Sequence, residues 1–223
     1  MAETAALTFL GICGSLRKAS LNAAALRAAG GLLPDGVTLK TAEIHDIPLY
    51  DGDVEARGVP APVQRLRAEI KAADAVLFCT PEYNYSIPGV LKNAIDWASR
   101  PPEQPFAGKP MAMMGASPGM FGTARSQYHL RQVFISLDGK IMNKPEVMIA
   151  GAPAKFDAEG RLTDEPTRKA IAAMLAGLKA WTLQLRGGRG ARPAAGQLKA
   201  RPMRAQSSIA PSCPGVMPIT SCE

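Results

Sequence analysis

The sequence predicts an α/β fold, a doubly wound parallel sheet of five strands with helices on both faces. Three observations predict it. Five short apolar runs alternate with five segments of helical period between residues 6 and 185, the pattern produced by parallel strands and crossover helices. Right-handed crossovers then place helices on both faces of the sheet. The residues with unusual chemistry gather in the loops after the first, third and fourth runs, and such sheets bind ligands outside the carboxyl ends of their strands.

The elements follow in order. "ALTFLGI" (6–12) reads as a buried strand and "LNAAALRAA" (21–29) as a helix closed by Gly30 and Gly31. "VTLKTAEI" (37–44) alternates apolar and polar residues, as a half-exposed strand does. Val63, Leu66, Ile70 and Ala73 mark one face of the second helix. "AVLFCT" (75–80) is a buried strand, and a helix runs from Pro88 to about Ser99, with proline suited to its first turn. "PMAMMGA" (110–116) is the fourth strand, residues 121–137 a helix, and "EVMIA" (146–150) the fifth strand. The last helix begins near Asp164–Pro166 and turns Ile171, Met174, Leu175, Leu178, Trp181 and Leu185 inward.

Composition narrows the function classes. The chain has 223 residues, 47% hydrophobic and 20% charged, enough for one well-buried domain over 1–186. No apolar run approaches the roughly 18 residues of a membrane span, and the N-terminus does not read as a secretory signal. Cys13, Cys79, Cys213 and Cys222 form no CxxC pair, which points to a reduced, cytoplasmic protein without structural zinc. The net charge is +7, but more than half of it falls in residues 187–223. That Pro/Gly-rich basic segment reads as a disordered tail. Without aromatic residues it gives little support to nucleic-acid binding. His45 and His129 lie in different elements with no carboxylate motif, so a hydrolytic triad has no support. Asp46, Asp51 and Asp53 read as turn residues, and Cys13 and Cys79 as small core residues.

Three loops carry the chemistry, and each admits a plainer reading. In "CGSLRKASLN" (13–22), Ser15, Ser20 and Asn22 offer donors, Arg17 a charge, and the following helix an N-terminus. The missing Walker lysine suits a phosphate monoester held without metal. Alternatively Ser20 only caps the helix and Arg17 is a solvated charge. In "TPEYNYSIPGVLKNAIDW" (80–97), Pro81, Pro88 and Gly89 constrain the backbone, and Tyr83, Asn84 and Tyr85 at the strand's carboxyl end could edge a planar ligand. Tyr85 is the first candidate for a subunit contact. In "GASPGMFGTARSQYHLRQ" (115–132), Ser117, Gly119 and Gly122 stand where a backbone can approach a flat ring. Arg125 and Tyr128 share a helix face. With Tyr85 and Glu146 they form either a hydrogen-bonded cluster at a subunit contact or an ordinary solvated surface.

Taken in order, "GSLRKASLN", "PEYNYSIPGVLKNAIDW" and "SPGMFGTARSQYHLRQ" resemble the NADPH-dependent FMN reductase family, and within it the flavodoxin-like quinone and chromate reductases. The resemblance covers residues 6–185 and stops before the tail. It implies FMN phosphate on Ser15, Arg17, Ser20 and Asn22, and flavin-ring contacts from Pro81, Glu82, Tyr83 and Asn84. Ser117 and the adjacent Gly119 would close the far side. It further implies a homodimer or homotetramer assembled through Tyr85, Arg125, Tyr128 and Glu146. The implied reaction is ping-pong transfer from NAD(P)H to quinones, flavins, azo compounds or chromate. The flavin carries the chemistry, so no catalytic side chain and no metal are expected. An FMN-binding electron carrier without its own nicotinamide site is the alternative.

Overall fold

The computed structural model describes residues 6–190. Strands β1 (Leu7–Cys13), β2 (Val37–Ala42), β3 (Ala75–Cys79) and β4 (Pro110–Ala116) pair in the parallel order β2-β1-β3-β4. The chain therefore reverses its winding beside β1, and the crevice of a doubly wound sheet opens at that point. Cys13, Cys79, Met114 and Val147 are successive register partners. They define one sheet edge, and every loop that carries candidate chemistry leaves from it.

The fifth strand position differs from expectation. It is shared by two short pieces, β5 (Lys140–Ile141) and β6 (Val147–Ile149), both parallel to β4. Pro145 has no N–H to give a ladder, so residues 142–146 leave the sheet between them. A two-residue strand has too little apolar pattern to be read from sequence.

Helices α1 (Leu21–Gly30) and α6 (Glu165–Gly190) cover one face of the sheet, and α3 (Ala61–Ala72), α4 (Gly89–Ala98) and α5 (Ala124–Ser136) the other. The strand residues alternate accordingly. Leu7, Phe9, Leu77 and Met114 pack with Leu26, Leu175 and Leu178. Leu10, Ile12, Phe78 and Met113 pack with Ile70, Leu91 and Phe134 on the opposite side. All five residues of β3 and all seven of β4 are buried, as central strands covered on both faces must be.

Three further details depart from the sequence reading. A short helix, α2 (Gly52–Arg57), follows β2; it buries no residue, which is why no apolar period announced it. Asp51 is its N-cap, its carboxylate accepting from the Asp53 N–H at 2.8 Å. Asp46 binds Arg65 through both carboxylate oxygens at 2.8 Å, and these bonds hold its carboxyl at about 2. The α6 helix continues to Gly190, past the expected boundary at 186/187, and the expected tail beyond it lies outside the described residues. Among the described residues no helix is long and apolar enough to cross a membrane.

Two glycines let α5 press against the sheet edge. A Cβ on Gly115 would lie 2.3 Å from the Thr80 carbonyl oxygen and 2.0 Å from Thr123 Oγ1. Gly122 has φ 51, and its Cβ would lie 2.6 Å from the Met148 carbonyl carbon. Backbone cannot yield as a flexible side chain does. Gly115→Ala is therefore expected to cost roughly 3 kcal/mol and to lower Tm by about 6–12 °C. Gly52→Ala, whose Cβ meets nothing within 4 Å, serves as the control and should leave Tm unchanged or slightly raised. Equal melting of the two variants would refute the close-approach account.

Candidate functional site

A cleft of about 380 Å³ opens at the carboxyl edge of β1, β3 and β4. Ser15, Arg17, Ser20 and Asn22 line it from the first loop, Pro81, Glu82 and Tyr83 from the second, and Ser117 from the third. Loops separated by about a hundred residues of sequence thus meet in one place. Leu21, Pro118 and Pro153 also line it. Pro153 lies in a 3-10 turn, Ala152–Lys155, that follows β6. The sequence reading missed this fourth contributor, although "GAPAK" directly after the last strand carries a turn signal. A larger cleft of about 850 Å³ lies beside α3. In its lining Lys71 pairs with Glu103 at 3.0 Å, and Arg67 donates through Nη2 to the carbonyls of Trp97 and Arg100.

In the first loop the capping reading of Ser20 is seen directly. Its hydroxyl accepts from the Ala23 N–H at 3.2 Å, which caps α1, and the residue also faces the cleft. The N–H groups of Leu21 and Asn22, in the first turn of α1, have no acceptor within the helix. Ser15 accepts from the Arg17 N–H at 3.4 Å, which folds the loop back, and the Arg17 side chain is exposed. The end of the cleft nearest α1 therefore gathers hydroxyls, free N–H groups, a helix dipole and one guanidinium, a set suited to an anion.

Asn22 requires a correction. Its side chain was expected to donate to the anion, but it is buried at 4% exposure and engaged elsewhere. Nδ2 donates to the Ala116 carbonyl at 2.9 Å, and Oδ1 accepts from the Ala116 N–H at 2.8 Å. The Cys79 thiol donates to the same oxygen at 3.6 Å. The second residue of α1 projects toward the sheet, so its amide straps α1 to the end of β4 and only its backbone N–H remains for a ligand.

The second loop is a tight two-residue hairpin. Tyr83 and Ser86 exchange backbone bonds at 3.2 and 3.0 Å around Asn84 and Tyr85, whose φ values are 51 and 67. Asparagine tolerates that region, but an aromatic residue there costs about 1–3 kcal/mol. Asn84 stands exposed at the hairpin tip, outside the cleft lining.

Glu82 is the second correction. It lines the cleft, but its carboxylate turns away toward α5 and is only 8% exposed. It accepts from the N–H groups of Arg125 at 3.0 Å and Ser126 at 3.2 Å, and from Arg125 Nε at 2.5 Å. Thr123, at the N-cap position with φ 73, makes no side-chain cap bond, so Glu82 caps α5 in its place.

Within one chain the residues expected at a subunit contact fall into two groups. Arg125 belongs with Glu82 and Tyr85, not with Glu146; its guanidinium carbon lies 3.7 Å from the Tyr85 ring centroid. Glu146 is held by Lys144 at 2.7 Å, and that bond sets its carboxyl below the ordinary range, with a weaker contribution from Tyr128. In the third loop, Ser117 accepts from the Gly119 N–H at 3.1 Å. Gly119 lies outside the lining, and a Cβ there would make only an ordinary contact at 3.5 Å. Gly122, not Gly119, is the position that demands glycine. Burial pushes the thiols of Cys13 and Cys79 up, so both remain protonated packing groups rather than nucleophiles.

Comparison with known proteins places this cleft in a context. The family described as NADPH-dependent FMN reductase matches residues 7–154, a range that includes all four contributing loops. An NAD(P)H-dependent FMN reductase of Pseudomonas aeruginosa is 60% identical over 178 residues, 80% of this chain and 96% of that protein. A quinone reductase of Escherichia coli K12 is 48% identical over 159 residues, 70% of this chain and 85% of its own. Among solved structures, the flavoenzyme NAD(P)H:(acceptor) oxidoreductase FerB of Paracoccus denitrificans superposes with a TM-score of 0.74 at 37% identity. That match covers 80% of this chain and 98% of FerB.

The strap is directly testable. Asn22→Ala leaves the N–H and carbonyl of Ala116 without partners and is expected to cost about 2–3 kcal/mol, read as a shift of the urea midpoint at constant slope. A midpoint equal to that of the parent would show that the amide bonds do not hold α1 to the sheet.

Proposed function

The chain belongs to the NADPH-dependent FMN reductase family, and from that premise we propose that it is an FMN-dependent oxidoreductase moving electrons from NAD(P)H to small-molecule acceptors. The observation that carries the proposal is the joining of two unlike half-sites in one cleft. An anion-binding helix terminus stands at one end and a stiff, partly aromatic wall at the other. The residues present fit FMN. Ser15, Arg17, Ser20 and the backbone N–H groups of Leu21 and Asn22 would hold its terminal phosphate. Pro81, the backbone beside Glu82, Tyr83 and Ser117 would flank its ring, with Pro118 and Pro153 closing the cleft.

Bound FMN supplies the redox chemistry, taking a hydride equivalent from the nicotinamide and returning electrons to the acceptor. The chain's own contribution is position and charge. The α1 N-terminus and Arg17 fix one end of the cofactor. Glu82 is neutralised by α5 and Arg125, so it adds no unbalanced negative charge beside a phosphate. Tyr83 stands exposed in the cleft wall, and Met120 and Phe121 are exposed in the loop after β4, as suits an apolar mouth to the cleft. Donor and acceptor would enter it in turn, giving parallel double-reciprocal lines at several acceptor concentrations. Quinones fit this apolar rim, and flavins, azo compounds and chromate remain within the proposed range.

Assembly and location belong to the same proposal. Tyr85 is 68% and Tyr128 47% exposed, as suits a homodimer or homotetramer that covers them, with Arg125 and Glu146 anchoring the two rings from beneath. A cytoplasmic setting agrees with the unpaired thiols of Cys13 and Cys79.

Two experiments test the proposal. The purified protein should show flavin absorption bands that bleach within seconds of anaerobic NADPH addition. Colour that persists would favour an electron carrier served by a separate reductase. In addition, Ser15→Ala with Arg17→Ala should weaken FMN binding by at least about ten-fold, since hydrogen bonds to charged groups contribute ~1.5–3 kcal/mol each. Fluorescence titration of the apoprotein measures it, and unchanged affinity would remove the phosphate from this loop.

A further inference from the structure

The second central residue of the Tyr83–Ser86 hairpin is unusual. Turns of this kind, with positive φ at both central positions, favour asparagine followed by glycine. Here Asn84 is followed by Tyr85 at φ 67, where glycine would be at ease. The hairpin's own sequence therefore works against its conformation. Core packing does not enforce it either, because the Tyr85 ring is exposed.

Contacts from α5 hold the turn. The Arg125 guanidinium lies over the Tyr85 ring, with 3.7 Å between its central carbon and the ring centroid. Arg125 is fixed in turn by Glu82, through Nε at 2.5 Å and through its own N–H at 3.0 Å. Ser86 Oγ and His129 Nδ1, 2.9 Å apart, form a second tie between the hairpin and the helix. The segment is thus gripped on both sides of Tyr83. Glu82 is bonded to α5, Tyr85 lies under Arg125, and Tyr83 between them forms part of the cleft wall.

We propose that Glu82 and Arg125 are positioning residues that clamp the Tyr83–Ser86 hairpin in a conformation its sequence disfavours, thereby fixing Tyr83 at the wall of the acceptor cleft. The kinetic consequence rests on the oxidoreductase reading given above; the conformational one does not. Without the clamp, Tyr85 relaxes from the left-handed region and carries Tyr83 out of register with the opposite wall.

The test is a rescue. Four forms of the full chain are compared: the parent, Arg125→Ala, Tyr85→Asn and the double variant. Asparagine accommodates positive φ, so a hairpin carrying it no longer needs the clamp. Arg125→Ala is expected to raise KM for a benzoquinone about ten-fold, a modest share of the ~100-fold that a 1 Å misplacement can cost, with kcat nearly unchanged. Adding Tyr85→Asn should return KM to within about three-fold of the parent, as displaced geometry is restored. Glu82→Gln, which weakens the grip on Arg125, should reproduce the KM rise and be rescued in the same way.

Thermal melting of the apoprotein tests the clamp without any flavin. Tyr85→Asn should melt at or above the parent temperature, and the double variant above Arg125→Ala. A double variant no better than Arg125→Ala in either readout overturns the clamp, as does Tyr85→Asn melting below the parent. Size-exclusion mass is followed throughout. A KM rise that tracks dissociation of the Arg125→Ala chain and is not reversed by Tyr85→Asn assigns the effect to assembly and likewise overturns the clamp. If the parent is not bleached by NADPH, the oxidoreductase reading fails, and the melting cycle alone decides the clamp.

Discussion

The carboxamide of Asn22, bonded in both directions to the backbone of Ala116, holds the first helix to the far side of the sheet's edge. The positions of the other cleft groups depend on it. At β3 the Cys79 thiol meets the same oxygen, so the strap ties the first turn of α1 to the carboxyl ends of β3 and β4. Its donor and acceptor match those of one peptide unit, and both partners are buried, so neither can turn to water instead. With α1 anchored in this way, the free N–H groups of its first turn face the cleft at a fixed distance from the loops beyond β3 and β4. An anion held there need not organise its own site.

A second constraint is the treatment of charge. Apart from Glu82, the charged side chain of the cleft lining is Arg17, which is exposed. The Glu82 carboxylate would oppose an anionic ligand if it faced inward. It faces α5 instead, where two backbone N–H groups and a guanidinium balance it. One acid thereby caps a helix that lacks a capping residue, removes a negative charge from the cleft and fixes an arginine. The close approach of α5 that makes this geometry available depends on Gly115 and Gly122, where a side chain would collide with backbone.

The sequence was informative where a physical signal is local. Apolar runs, helical periods and punctuating Gly and Pro located every long element, because burial on two faces leaves a continuous trace in the residues. They failed for β5, two residues long, and for α2, which buries nothing. The winding rule selected the right sheet edge and three of its four contributing loops. The family resemblance, carried by "PEYNYSIPG" and its companions, pointed to the cofactor before any geometry was available. Of the ten residues expected at a cofactor, all but Asn84 and Gly119 line this one cleft.

What sequence alone determined is the layout: a doubly wound sheet, and the edge from which the loops with unusual chemistry leave. Those follow from periodicity, chain order and composition, which each segment carries by itself. Only the tertiary structure decided what each side chain does within that layout. Asn22, Glu82 and Arg125 have the chemistry of ligand-binding groups, yet each is engaged by a partner 43 to 94 residues away. A polar side chain bonds to whatever the fold brings within about 3 Å, and that distance is a property of the packed chain, which no single segment records.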